Sequence, residues 1–383
     1  MTDKQVLIIS FWNPTPEDPH KGIFIQDQVE AVCGLRGNVI FLQVNILPGK
    51  RLFLKEIKKE EISPGNKKIV INFYSRFWKF FYINPWWSAW IIHRVIKKSA
   101  DKINPALIHA NVIYPCGIAG YILARRTGAG LIISEHWSKA GKLLKNPVYK
   151  RIAKRAYCYS SAVIYVSEFL SGKLARMTGQ KNAIVIPNII NPRLFTYLPK
   201  PEPESSELIF MCVSSWRAPK RLDLIFDALC SYAAETDRQI VLRVVGNGPQ
   251  ADDLKKRITP ENLHIEWLGY LDRSEIVELL HKANIFVHPS EIETFSIVTA
   301  EALSTGTPVI ASGTGALPEL INKDNGILTD NNPGSWLNAI KEIVNKQFDH
   351  QAIAVENQNK FSPETIGKRI VSVYDKFLFN SLK

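Results

Sequence analysis

Cysteine is scarce and scattered: five residues (Cys33, Cys116, Cys158, Cys212 and Cys230) in 383, with no Cys-x-x-Cys pair. That distribution argues against a zinc site or a disulfide framework and fits a reducing cytoplasm. Long apolar runs are missing too. The most hydrophobic region, Phe73 to Ile92, is cut by Arg76, Lys79, Asn84 and Pro85, so no stretch reaches the roughly eighteen residues that cross a bilayer. The apolar start, Val6 to Phe11, is too short for a signal-peptide core and enters Trp12-Asn13-Pro14, which reads as a buried strand leading into a loop and points away from secretion. The Gly-x-Gly-x-x-Gly spacing of a nicotinamide site is absent from both candidate glycine loops.

Acidic residues are thin in one half. Residues 1–200 hold 30 Lys and Arg against 11 Asp and Glu, a balance of +19, whereas residues 201–383 carry −7. The basic half suits an anionic surface or an acidic acceptor; a plain solvated basic face is the alternative. Hydrophobic residues make up 46% and charged residues 22%, as in globular proteins, and the length suggests two domains.

Short β-branched runs alternate with amphipathic ones. Strands are expected at Val6–Ser10, Val39–Val44, Lys68–Phe73, Ala106–Ala110, Leu131–Ser134, Ala162–Val166 and Ala183–Ile186. Pro199, Pro201 and Pro203 mark a linker over 199–207, after which the alternation restarts with strands at Leu208–Val213, Ile240–Val245, Leu263–Trp267, Ile285–His288 and Pro308–Ala311. The expected fold is α/β, with two Rossmann-like doubly wound domains, 1–198 and 208–362, facing across a cleft lined by strand-to-helix loops. Ile366, Ile370, Val373 and Phe377 predict a terminal amphipathic helix within 363–383.

The sharpest cluster follows the strand at 285–288. Glu293 and Glu301 stand eight residues apart across a strand-to-helix junction. A helix starting near Phe295 would offer the amides of Phe295, Ser296 and Ile297 to phosphate oxygens, leaving the two carboxylates to accept hydrogen bonds from sugar or ribose hydroxyls. The plainer alternative makes Glu293 a capping acid and Glu301 an exposed helix residue.

Pro289-Ser290-x-x-Glu293-Thr294-Phe295-Ser296, continuing through Glu301 to Gly306-Thr307-Pro308, resembles the signature of retaining GT-B glycosyltransferases of family 4. Gly22-Ile23-Phe24, Ser134-Glu135-His136, Ile186-Pro187-Asn188, Val245-Gly246-Asn247-Gly248-Pro249 and Leu268-Gly269-Tyr270 occur in that family's order, so the resemblance covers almost the whole chain. It implies that Glu293 contacts donor sugar hydroxyls and Glu301 the ribose. Gly22 would let the backbone approach the diphosphate, Gly246 and Gly248 would clear space beside the nucleotide, with a simple turn as the alternative, and Asn247, Tyr270 and Thr294 would complete the donor site. His136 matches the family histidine near sugar and acceptor; His109 is a second-rank candidate, and a structural role is the alternative for each. Lys220 falls on the family lysine. The family arginine position falls near Ser215, and Arg217, two residues later, is its candidate substitute. Lys220, Arg217 and the helix amides would stabilise charge on the leaving diphosphate. No cofactor is expected, and with no Asp-x-Asp pair no metal either. The terminal helix is expected to pack back on the N-terminal domain.

The implied reaction moves a sugar from a UDP- or GDP-linked donor to a saccharide or polyprenyl-diphosphate-saccharide, with retention, in cell-surface polysaccharide or glycolipid synthesis. Phe73 to Tyr82, with Trp86, Trp87 and Trp90, mixes aromatics and bases, which suits a peripheral contact with an anionic membrane at the inner face of the plasma membrane; packing in the core is the alternative. Other readings are a GT-B nucleotide-sugar epimerase, a silent sugar-binding scaffold and a nucleic-acid-binding protein. Nucleic acid is not an expected partner, since its recognition modules are absent.

Overall fold

A computed structural model describes residues 4–14, 21–50, 54–98, 103–136, 140, 145–180, 182–199 and 207–380. They separate into two compact units, Met1–Ile189 with Pro363–Lys383, and Ile190–Ser362.

The first unit holds strands β1 (Val6–Ser10), β2 (Val39–Pro48), β3 (Leu54–Ser63), β4 (Asn66–Ser75), β5 (Leu107–Asn111), β6 (Gly130–Glu135), β7 (Ala162–Tyr165) and β8 (Ala183–Val185). They form one sheet in the order β3-β4-β2-β1-β5-β6-β7-β8. Pairing is parallel except for β3, which runs antiparallel to β4. The central strand β1 is buried along its whole length, which is why Val6 to Ile9 read as an apolar run before Ser10. β3 was not among the expected strands. Its Lys- and Glu-rich sequence has little strand preference, and such charges suit a sheet edge that must not recruit further strands. The helices of this part of the chain are α1 (Ile23–Leu35), α2 (Trp78–Ile83), α3 (Pro85–Lys98), α4 (Ile118–Thr127), α5 (Pro147–Tyr159) and α6 (Glu168–Thr178).

Among the described residues the second unit has six parallel strands, β9 (Leu208–Val213), β10 (Ile240–Val245), β11 (Leu263–Gly269), β12 (Ile285–His288), β13 (Val309–Ser312) and β14 (Gly326–Thr329), ordered β11-β10-β9-β12-β13-β14. Helices α7 (Leu222–Ala233), α8 (Pro249–Leu254), α9 (Arg273–Lys282), α10 (Ile297–Ser304), α11 (Pro333–Ile343) and α12 (His350–Phe361) accompany them. The chain leaves β9 toward β10 on one side and later returns to place β12 on the other. This reversal of strand order brings the loops after β9 and β12 side by side, the place where open α/β sheets bind ligands.

The terminal helix α13 (Pro363–Asn380) returns to the first unit. Ile366, Ile370, Val373, Tyr374 and Leu378 enter its core beside Val29, Val32 and Cys33. Gly367 permits close approach to α1, since a Cβ there would sit 2.9 Å from Leu35 Cδ1. Arg36 and Asp375 add an ion pair of 2.9 Å.

The unit boundary falls earlier than the expected linker, whose residues 200–206 lie outside the described residues. Residues 190–198 belong with the second unit because Ile190 N donates to Phe361 O at 3.0 Å, Gln358 Nε2 to Phe195 O at 3.2 Å, and buried Phe195 lies under Arg273. The helix after Glu293 also starts later than expected, at Ile297 instead of Phe295.

Candidate functional site

In the second unit, four loops at the strand ends are stitched together through their backbones. Gly246, with φ 98°, lies so close to the loop after β9 that a Cβ would stand 1.8 Å from Ser214 O; a Cβ on Gly248 would stand 2.2 Å from Trp216 O. Trp216 N donates to Asn247 O at 3.0 Å, and Gly246 bridges to Gly269. The two glycines thus have a packing reason within the fold, beyond making a turn. Tyr270, the next residue, is exposed.

This framework presents Lys220. Its backbone forms a bridge with Ser290, and Gln250 donates to its carbonyl while accepting from Leu222 N, pinning the loop where α7 begins. The loop after β12 is seated from the other side by Gly315, whose φ is 62°; a Cβ there would meet Glu293 O at 2.3 Å. Lys220 Nζ consequently donates directly to Glu293 Oε1.

His288 completes this cluster. It is the last residue of β12, buried, with Nε2 at 2.7 Å from Glu293 Oε1 and 3.2 Å from both Lys220 Nζ and Ser296 Oγ. Its Nδ1 is buried and has no hydrogen-bond partner among the described residues. Buried donors are left unpaired more rarely than acceptors, so the ring proton belongs on Nε2, donating to Glu293. Burial, followed by the Lys220 charge, lowers the pKa of His288 and keeps the ring neutral. Burial alone would raise the Glu293 carboxyl, but the Lys220 charge and the His288 hydrogen bond outweigh it and hold the group at about 2. Glu293 is therefore a fixed anion and a hydrogen-bond acceptor at neutral pH.

Ser296 precedes α10 in the left-handed region at φ 73°, uncommon for a residue with a side chain, and its hydroxyl bonds Thr299 Oγ1 at 2.8 Å. Among the described residues no side chain caps the helix, so Glu293 is not its cap. The first intrahelical acceptor is Ser296 O, bonded by Ala300 N, so the helix-terminal amides are those of Ile297, Val298 and Thr299; Thr294 and Phe295 lie before them. The Phe295 ring is buried edge-on against Phe361 at 5.3 Å and serves the core. Glu301 is buried, not exposed, and accepts from Arg273 Nη2 at 3.0 Å. Arg273 is fixed at the start of α9 by the Asp272–Glu275 capping box. Arg217 is exposed on the Lys220 loop, whereas Arg221 is committed to Asp223 and Glu291.

In the first unit three sequence motifs meet at His136. Its Nδ1 lies 3.0 Å from Asn188 Oδ1, and its ring lies 4.6 Å from that of Phe24, two residues after Gly22. Burial lowers His136 to about 4, so the ring is neutral. Gly22 has φ 68°, and a Cβ would sit 2.1 Å from Trp12 O, so its own chain occupies the space next to it. His109 is a structural histidine: Nδ1 meets Tyr374 OH at 2.6 Å and Nε2 meets Ser134 Oγ at 2.7 Å, joining α13 to the sheet. Glu135 accepts from Tyr157 OH at 2.8 Å and Ile113 N at 3.0 Å. The aromatic run divides: Phe73 is in the core, while Phe77, Phe80, Trp86 and Trp90 are exposed.

His288, Arg273, Gln250 and Gly315 escaped the sequence reading. Among the described residues, no group of three or more His, Cys, Asp or Glu could hold a metal ion.

Residues 196–361 match the family model of glycosyl transferases group 1, and residues 54–194 that of glycosyltransferase family 4. An uncharacterised glycosyltransferase of Methanocaldococcus jannaschii is 28% identical over 70% of this chain and 74% of its own. The GDP-mannose-dependent alpha-(1-6)-phosphatidylinositol dimannoside mannosyltransferase of Mycobacterium tuberculosis is 27% identical over 55% of this chain and 58% of its own. Among solved structures, Anabaena HepE in complex with UDP and glucose superposes with a TM-score of 0.68 at 18% identity, covering 97% of this chain and all of that one.

Proposed function

Because the chain belongs to the glycosyl transferases of group 1 and family 4, enzymes of GT-B fold that use nucleotide sugars, we propose that it takes a sugar from a UDP- or GDP-linked donor and transfers it, with retention, to a saccharide or polyprenyl-diphosphate-linked saccharide. The observation that carries this reading is the Lys220–Glu293 pair beside the strand-order reversal of the second unit.

In the unliganded protein Glu293 neutralises Lys220. A donor diphosphate gives that ammonium a stronger anionic partner, and exposed Arg217 and the amides of Ile297, Val298 and Thr299 add positive potential. Glu293 then accepts from donor sugar hydroxyls, held in place by His288, and Glu301, aligned by Arg273, accepts from the ribose. As the bond from the anomeric carbon to the phosphate oxygen breaks, these groups meet the charge growing on the leaving diphosphate, and no metal is assigned a part. The acceptor oxygen bonds to the same face of that carbon and its proton passes to the departing phosphate. His136, being neutral, orients sugar or acceptor by hydrogen bonding. A lipid-linked acceptor places the enzyme peripherally at the inner face of the plasma membrane, in polysaccharide or glycolipid synthesis.

The test is a thermal-shift panel of UDP-, GDP-, ADP- and CMP-sugars on the wild type and on Glu301→Ala. A UDP- or GDP-sugar should raise the melting temperature, and the variant should lose that response, with affinity down at least about tenfold. No response to any donor would overturn the reading.

A further inference from the structure

Sugar-transfer chemistry leaves one surface of the first unit unused. On α3, Ala89, Ile92, Val95 and Ile96 are buried, while Trp86, Trp90, Arg94 and Lys97 recur at helical spacing on the exposed side. An outward helix face is ordinarily polar. Here Trp86 is 49% exposed and Trp90 42%, and just before them Phe77 and Phe80 are 54% and 58% exposed. α2, which carries Phe80, packs on α3. Cations are interleaved with the rings: the Arg94 guanidinium lies 4.5 Å from the Trp90 ring and Lys79 Nζ 5.7 Å from that of Trp78. Between Glu61 and Asp101 the sequence has seven Lys or Arg, four of its nine tryptophans and no acid.

We propose that the α2–α3 face docks on an anionic lipid bilayer, with Phe77, Phe80, Trp86 and Trp90 at headgroup level and Arg76, Lys79, Arg94 and Lys97 against anionic headgroups. Charge selects this occupant. A second copy of the chain meeting the same face in a two-fold dimer would set cation against cation, whereas an anionic membrane opposes the patch with the complementary sign. Among the described residues no helix is long and apolar enough to cross a membrane, so the contact is interfacial. The proposal deepens the lipid-linked acceptor reading, on which it rests, by giving the enzyme a surface on which to meet such an acceptor.

Flotation of the full chain with phosphatidylcholine vesicles, with and without about one-third phosphatidylglycerol, tests it. The wild type should float with the anionic vesicles at low salt and be released as salt rises. Arg94→Gln/Lys97→Gln should bind about thirtyfold more weakly, from the loss of two surface cations, and Trp86→Ser/Trp90→Ser about tenfold or more. Both variants should keep the wild-type melting temperature and its shift with donor sugar. Failure of the wild type to float, or equal flotation of both variants, would overturn the proposal. So would a lipid-free dimer, seen in sedimentation and lost in the tryptophan variant, with no vesicle binding. Flotation without any donor-induced shift would instead sink the sugar-transfer reading and leave the bilayer face standing.

Discussion

The two units both gather ionisable side chains near the carboxyl ends of parallel strands, but they pair them differently. In the first, His109 meets Tyr374 and Ser134, His136 meets Asn188, and Glu135 accepts from Tyr157 and the Ile113 amide. In the second, Lys220 meets Glu293 and Arg273 meets Glu301. A buried base bonded to neutral groups stays neutral and ties the fold together. A charged pair keeps both members ionised and can exchange one partner for a ligand of like charge, so the second unit is the one equipped to receive an anion.

Removing α13 should affect the two units most unequally. Five buried side chains at roughly 1.5–3 kcal/mol each amount to about 10 kcal/mol, comparable with the whole stability of a domain. A chain ending at Phe361 should show in calorimetry one surviving transition, that of the second unit, still shifted by donor. Two transitions of unchanged height would refute the assignment of α13 to the first core.

Acid should also separate the two units. His109 and His136 are lowered by burial to about 3 and about 4, so below pH 6.5 the unfolded chain takes up protons that the folded unit refuses. The stability they support is complete above pH 6.5 and is lost as pH falls toward 4, by about 5 kcal/mol for the pair at pH 4.5. In the second unit His288 acts in the same direction, but Glu293, held at about 2, withdraws its contribution only below about pH 4.5. The first unit's melting temperature should therefore fall more steeply between pH 6.5 and 4.5. Parallel decline of both transitions would show that the buried rings do not differ in this way.

A smaller effect comes from Lys220→Ala. It leaves the part-buried Glu293 carboxylate without its ammonium and should cost the second unit up to about 3 kcal/mol, with the first unit's melt unchanged and the donor-induced shift abolished. A variant that still shifts fully with donor would separate the ion pair from donor binding.

Much of this was legible in the sequence where a residue's role is local. β1, β9, β10 and β12 fall where their largely apolar runs begin and end, because a strand covered on both faces is apolar at most of its positions, Arg243 of β10 being partnered by Glu266. β3 was not legible, since its charges carry no strand signal and only pairing with β4 makes it one. Lys220 and Glu293 were found through motifs, and adjacency of β9 and β12 brings them together. His288 was missed because a histidine closing an apolar strand looks like any core residue until its neighbours are known. Arg273 stands 28 positions from the carboxylate it pairs with, a separation no local pattern spans. The glycines were found, yet Gly22 and Gly246 turn out to be required by Trp12 O and Ser214 O of their own chain.

That α13 closes the first unit makes the second an insertion within it, and this sets an order for biogenesis. The segment up to Ile189 leaves the ribosome without its last core helix and must wait for the next 191 residues, through Asn380, roughly 10–40 s at ordinary translation speed. During that interval α1 shows the apolar surface meant for Ile366, Ile370 and Tyr374, while the second unit, whose residues run without interruption, can already complete itself. The nascent first unit is thus the natural client for a chaperone, and the half of the enzyme that is made later is the half that can finish folding first.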